Sequence, residues 1–323
     1  MIKLLYFTDT HIRSNNPSSR IDNYQETLLN KFSEISEIGH KEDVDFYVHG
    51  GDIVDRPDIP ILTMRAFNKV LLSFEKPIFL VPGNHDIYAY NLNSINRTVL
   101  ALLEDLHVIN IMMGKYPVFL SKDGTSLEMN FVPYTFDLDT ESGKKSYIMD
   151  TKKADFSITF VHGMLIDKPF KMIDHTLVEQ IKDTKADITL SGHYHTGFPL
   201  QKIDGKYFYN PGSVARMSAS KVEISRKPKV VIIEIEKGSE PIIRDIYLKS
   251  APAGEDVLDR AMLEKERSEK IEYQSLKSLI ESNANSEYVS VRKIIENVAK
   301  DENIDINVRN HALKLIEEVE LNV

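Results

Sequence analysis

Five times along this chain a short apolar run stops abruptly at residues that can ligate a metal or exchange a proton. The run 2–7 ends in Thr8, Asp9, Thr10 and His11, and the run 45–49 in Gly50, Gly51 and Asp52. The runs 77–81, 156–161 and 188–191 end in Gly83-Asn84-His85-Asp86, His162-Gly163 and Gly192-His193-Tyr194-His195. Runs of this length, rich in Val, Ile, Phe and Tyr, read as buried strands. Side chains delivered at the carboxyl ends of neighbouring strands share one edge of a sheet, which is where open α/β sheets bind ligands. One Asp-x-His is an ordinary hydrogen-bonded strand end; an ordered set of five such clusters points to a single site.

Helical periodicity fills the gaps between several strands. Tyr24, Leu28, Phe32, Ile35 and Ile38 recur at spacings of three and four, with Gly39 placed to cap the C-terminus. Further helices are expected over 61–74 and 92–106. Strands alternating with helices argue for a layered α/β core. The later strands 207–209, 230–235 and 242–248 follow without long helices and are expected to close a second sheet, giving a two-sheet sandwich flanked by helices. Composition shifts at Ser250-Ala251-Pro252-Ala253-Gly254, and a domain boundary is placed there: a core over 1–250 and a helical C-terminal region over 251–323. In the latter, Val308, Ala312, Leu315, Ile316 and Val319 form one apolar helical stripe.

The chain has 323 residues and no cysteine, so thiolate metal sites, disulfide frameworks and Cys nucleophiles are all excluded. Any metal must be held by nitrogen and oxygen. Its formal charge of -9 argues against a broadly basic sheath around nucleic acid. That acidity is uneven: residues 255–323 carry ten basic and 16 acidic side chains, a net of -6, leaving -3 on the rest. No apolar run approaches the roughly 18 residues a bilayer span requires, so no membrane association is expected.

A pair of divalent ions about 3.5–4 Å apart needs a bridging carboxylate and terminal ligands on either side. Asp52 suits the bridge. His193 and His195, at i and i+2, can point into one cavity, as can Asp9 and His11.

The ordered motifs D-x-H, G-D, G-N-H-D, H and G-H-x-H resemble those of the calcineurin-like metallophosphoesterases, over roughly residues 1–215. The resemblance implies a four-layer α/β/β/α sandwich, here with a small, mainly helical C-terminal appendage. Carried over by position, it implies one ion on Asp9, His11, Asp52 and His195 and another on Asp52, Asn84, His162 and His193. His85 becomes the catalytic imidazole and Asp86 the carboxylate that fixes its tautomer. Within the superfamily the chain is similar to shorter, phage-type members of the SbcD and meiotic-recombination-eleven nucleases. That closer likeness rests on Thr8 to Arg13, Arg20 to Tyr24, His49 to Asp52, and Asn210-Pro211-Gly212-Ser213 followed by Arg216.

This family implies hydrolysis of DNA phosphodiesters as exonuclease or endonuclease, manganese as the preferred ion with iron or zinc compatible, and a homodimer formed through the 61–74 and 92–106 helices. It further implies an SbcC-type coiled-coil ATPase partner in DNA repair, recombination or replication, with the C-terminal stripe either docking that partner or packing on the chain's own core, and a cytoplasmic setting in a bacterial or phage-infected cell. Arg13, Arg20, Arg216 and Ser213 are candidate substrate-binding residues; Arg56, Lys168 and Lys171 also lie in or near motif loops. Tyr134, Tyr194 and Phe198 are either base-stacking or core aromatics.

Two other functions compete. Gly51 to Arg56 resembles the G-D-x-V-D-R-G of Ser/Thr protein phosphatases, but Pro57 replaces the last Gly, Asp86 stands where those enzymes have Glu, and the first cluster is Thr-Asp-Thr-His. A non-cleaving scaffold subunit would have no need to keep all seven ligands and His85.

Overall fold

In the computed structural model, the described residues are 1–170, 173–260, 295, 298–300, 304–306, 308, 309 and 312. Their chain order begins β1 (Ile2–Phe7), α1 (Tyr24–Glu42), β2 (Phe46–His49), α2 (Ile61–Leu71), β3 (Ile78–Leu80), α3 (Val99–Asp105), β4 (Asn110–Ile111), β5 (Val118–Lys122), β6 (Thr125–Val132) and β7 (Phe156–Val161). It continues with β8 (Leu165–Ile166), β9 (Thr176–Leu177), β10 (Ile188–Ser191), β11 (Phe198–Ile203), β12 (Lys206–Asn210), α4 (Lys221–Ser225), β13 (Lys229–Ile235), β14 (Ile242–Tyr247) and α5 (Gly254–Val257).

Two six-stranded sheets dominate, in the orders β14-β13-β1-β2-β3-β4 and β11-β12-β10-β7-β6-β5. Leu4, Tyr6, Phe46 and Val48 of the first meet Met129, Phe131, Ile158 and Phe160 of the second in a buried interlayer core. On the outer face of the first sheet, Leu5, Phe7, Tyr47 and Leu80 pack on Leu28 and Phe32 of α1 and Phe67 of α2. The alternation of partners along β1 follows from the two-residue period of a strand with both faces covered. The outer face of the second sheet packs Val161 and Phe208 against Leu138, Tyr147, Val178 and Ile181, from loops and 3-10 turns. The four-layer α/β sandwich is therefore present.

Three details differ from expectation, and a hairpin is added to them. Strands β13 and β14 do not close the second sheet; β13 pairs antiparallel with β1 and completes the first. A two-residue Asp123-Gly124 turn, both residues at positive φ, joins β5 and β6 in a hairpin at the second sheet's edge. The helix expected over 92–106 is broken into a 3-10 stretch and α3 at Thr98, whose hydroxyl accepts the Leu100 N–H as an N-cap. Helix α1 runs past Gly39 to Glu42 and is capped by Asp43 in the left-handed region. Gly39 instead admits Tyr47: a Cβ there would lie 1.9 Å from the Tyr47 hydroxyl.

Met1–Asp259 form one compact unit and Arg260–Val323 a second. The first extends past the composition change at 250–254, because the Ile21 N–H donates to the Val257 carbonyl and Arg20 bridges Leu258. Of the C-terminal stripe, Leu315, Ile316 and Val319 lie outside the described residues, as does Lys171. No helix among the described residues is long and apolar enough to cross a membrane.

Candidate metal centre

The loops after β1, β2, β3, β7 and β10 converge at one end of the sandwich. Backbone bonds lock the first two together, from Asp9 N–H to the Gly51 carbonyl (3.0 Å) and from His11 N–H to that of Asp52 (3.0 Å). Ligand atoms of Asp9, His11, Asp52 and His195 lie within 4.8 Å of one another, and so do those of Asp52, His162 and His193. Asp52 belongs to both groups. Its Oδ1 accepts the His85 N–H at 2.8 Å, while Oδ2 sits 3.3 Å from His162 Nε2 and 3.8 Å from His11 Nε2. One carboxylate thus faces both imidazoles.

The backbone is strained where these side chains leave it. Asp9, His11, Asp52 and His193 all have positive φ, at 53°, 46°, 54° and 71°. Non-glycine residues in that region cost of order 1–3 kcal/mol each and persist where the surroundings hold them. Glycine makes room beside them: a Cβ on Gly83 would lie 2.1 Å from Asp52 Oδ1, and one on Gly51 would lie 2.1 Å from His162 Nδ1.

Hydrogen bonds set the tautomers. The Nδ1–H of His162 donates to the Gly50 carbonyl (2.7 Å) and that of His85 to the Asp55 carbonyl (2.9 Å), so each ring turns Nε2 to the site. His49 works differently: its Nδ1 accepts the Gly51 N–H and its Nε2 meets Thr10 Oγ1 at 3.0 Å, so it holds the loop and leaves no nitrogen for an ion. Asp86 does not bond the His85 ring. Buried, its carboxylate accepts the N–H groups of Gly83, Asp52 and Val54 at 2.8, 2.8 and 3.2 Å. Three loop amides with no other acceptor explain its place better than one imidazole does.

Burial sets most charges. It pushes His193 and His195 down to about 4 and His11 well below the ordinary imidazole value, so all three are neutral at pH 7. For His162 burial opposes protonation, but the Asp52 carboxylate overrides it and raises the ring to about 10. For His85, too, burial is the largest influence and lowers the value, but Asp52, the bond to the Asp55 carbonyl and the charges of Asp55 and Asp86 together outweigh it, leaving the ring above its usual value.

The donor set suits divalent ions. It is all nitrogen and oxygen, its carboxylates are buried, and His11 Nδ1, His162 Nε2 and Asn84 Oδ1 are buried with no hydrogen-bond partner. A neutral imidazole pair, His11 Nε2 and His195 Nε2 at 3.0 Å, also points inward.

Other sequence candidates are placed elsewhere. Arg13 faces Asp55 at 3.4 Å. Arg20 is buried, bonded to Asp22 (2.7 Å) and the Arg216 carbonyl (3.2 Å). Arg216 is buried too and donates to the carbonyls of Arg226 and Pro252. Ser213 donates to the Ala215 carbonyl. Phe198 lies in the core, and the Tyr134 ring lies 5.6 Å from that of His193, tilted by 46°. Sequence reasoning passed over Asp55, which groups with His11 and His85 within 4.8 Å. Its spacing of three from Asp52, in the same loop, was the available signal.

The sequence profile described as Calcineurin-like phosphoesterase matches residues 2–197, a span that holds all seven converging residues and His85. The chain belongs to that family. It is 24% identical over 213 residues to the "Probable exonuclease subunit 1" of Escherichia phage T5, covering 66% of this chain and 59% of that protein. It is 31% identical over 91 residues to the "DNA double-strand break repair protein Mre11" of Methanococcus maripaludis, covering 27% and 23%. The chain thus spans less than two thirds of the length of either relative. A Staphylococcus aureus structure described as a 5'-nucleotidase shares the fold, with a TM-score of 0.50 at 13% identity, covering 81% of this chain and 57% of that one.

Proposed function

We propose that this phosphoesterase is a DNA nuclease working with two divalent ions, one on Asp9, His11, Asp52 and His195 and the other on Asp52, Asn84, His162 and His193. The observation that carries the reading is the Asp52 carboxylate, facing imidazoles of both half-sites while the His85 amide pins its second oxygen. When bound, such ions neutralise phosphate charge and lower the pKa of water. The nitrogen and oxygen donors suit manganese, iron or zinc, and we take manganese as the working ion.

The chain's own groups divide the remaining tasks. His85 is partly exposed, keeps Nε2 free and favours its protonated form, so it can hold a proton against the leaving oxygen of a phosphodiester. Asp86 fixes the loops of Gly83 and Asp52, and with them the place of His85. The net charge of -9 does not oppose a DNA substrate, since two divalent ions reverse the local field where the phosphate binds.

DNA as substrate, rather than a phosphoprotein, is supported by the similarity to the phage exonuclease subunit and to the double-strand-break repair protein. From the motif resemblance we further propose a homodimer that pairs with an SbcC-type ATPase, in the cytoplasm of a bacterial or phage-infected cell. Incubating the chain with manganese and end-labelled DNA, circular single-stranded DNA or a phosphoserine peptide tests this. Cleavage of DNA, abolished in Asp52→Ala, is expected. Phosphate release from the peptide with intact DNA would replace the reading with a phosphomonoesterase.

A further inference from the structure

One residue beyond His195 the surface opens into a cavity of about 460 Å³ lined by Thr196 and Gly197 and by the facing edge strands β11 and β14. A second cavity of about 660 Å³ lies beside it, and the two share Arg226, Lys227 and Tyr247 in their walls. Each is within the roughly 300–1,000 Å³ that accommodates a ligand of nucleotide size.

The chemistry of the walls is selective. Tyr247 is 54% exposed although its neighbourhood is ordered by bonds: Lys229 Nζ binds the Tyr209 hydroxyl (2.6 Å) and Asp245 (2.7 Å) and lies 5.8 Å from the Tyr247 ring. An exposed ring beside an ammonium fixed in this way offers a face on which an unpaired base can stack. Lys227 and Lys249 are exposed and make no side-chain ion pair or hydrogen bond among the described residues. Of the two carboxylates in the walls, Asp245 is neutralised by Lys229 and Glu255 stands at the end of the second cavity. Two unpaired cations flanking an exposed aromatic suit a chain of alternating phosphates and unstacked bases. A duplex, with its bases inside, could use the cations and not the ring.

We propose that these joined cavities are a track for single-stranded nucleic acid, leaving the metal centre past Thr196, with Tyr247 stacking a base and Lys227 and Lys249 holding phosphates. The track rests on the nuclease reading for its purpose but is tested without it. Binding of the full chain to a fluorescent single-stranded oligodeoxynucleotide, measured by anisotropy in EDTA, involves no cleavage, whereas cleavage in manganese is a separate measurement.

Lys227→Ala/Lys249→Ala is expected to weaken binding about tenfold and to reduce the slope of log affinity against log salt by about 1.4, the release expected for two single-strand phosphates. Tyr247→Ala is expected to lose about tenfold, with Tyr247→Phe restoring the affinity. The same charge change on the helical face, Lys41→Ala/Lys69→Ala, is expected to leave binding within twofold. Unchanged affinity and salt slope in the first variant, or an equal loss in the helical control, would overturn the track. Loss of equal size on blunt duplex in Tyr247→Ala would overturn the stacking role.

Discussion

Four of the converging residues stand in a backbone conformation that non-glycine residues avoid, and bonds between the converging loops help to hold them there. Asp9 shows the pattern: its carboxylate accepts the Thr8 hydroxyl at 2.7 Å and the His193 N–H at 3.1 Å, so strand ends distant in sequence fix one another. His85 is the member whose ring is free to act, and its loss should separate chemistry from ion binding. His85→Ala is expected to lower kcat about 10²- to 10⁴-fold on DNA, with ion stoichiometry by equilibrium dialysis unchanged; a lost ion would make His85 a ligand instead. Proton release gives a second test. His193 and His195, at about 4, are neutral from pH 6 upward, whereas His162, at about 10, carries a proton that an ion must displace. Affinity for manganese is therefore expected to rise about tenfold per pH unit from 7 to 9, above the value of about 7 to which burial raises Asp9, with one proton released for the ion that His162 ligates. Calorimetry in buffers of different ionisation enthalpy counts that proton, and a flat profile would remove His162 from the ligand set.

At the scale of elements, α1 does more than cover the first sheet. The Tyr24 hydroxyl meets the carbonyls of Thr10 and His11 at 3.1 and 3.0 Å, and buried Lys31 donates to the Val214 carbonyl at 2.8 Å. The helix grips the Asp9–His11 loop and the Asn-Pro-Gly-Ser segment from beneath, and Arg20 and Arg216 extend the grip. Gly39 sets how closely α1 approaches β2. Gly39→Ala would gain about 1 kcal/mol of helix propensity but force a methyl into Tyr47, and overpacking of that kind costs about 1–3 kcal/mol. A net loss of stability, read as a lower urea midpoint at unchanged slope, is expected. A rise would mean that Tyr47 yields freely. The Asp123-Gly124 hairpin carries a signal that the reading of the sequence passed over, Asp-Gly between alternating segments; the break at Thr98 carries none, because apolar residues on both sides keep a helical spacing across it.

For the whole molecule, the helical layer presents several exposed apolar side chains: Ile61 and Leu62 at the start of α2 are 79% and 76% exposed, and Leu102 and Leu106 are 55% and 56%. If this layer forms the proposed homodimer, light scattering after size exclusion should give twice the 37.0 kDa chain mass, and Ile61→Glu/Leu62→Glu should give the monomer. A monomeric parent chain would end the dimer proposal. The sequence by itself determined the α/β class, the five strands that carry the site and the residue types at their ends, because burial on both faces leaves a continuous apolar run and metal ligation demands a short list of side chains. Tertiary structure alone decided the rest. Antiparallel pairing of β13 with β1 is a contact between residues more than 200 apart that local periodicity cannot encode. The same holds for Asp86, which sequence order sets beside His85 and the folded loops turn onto three buried amides, and for Tyr247, whose meeting with Lys227 and the Thr196 rim exists only once two sheet edges face each other.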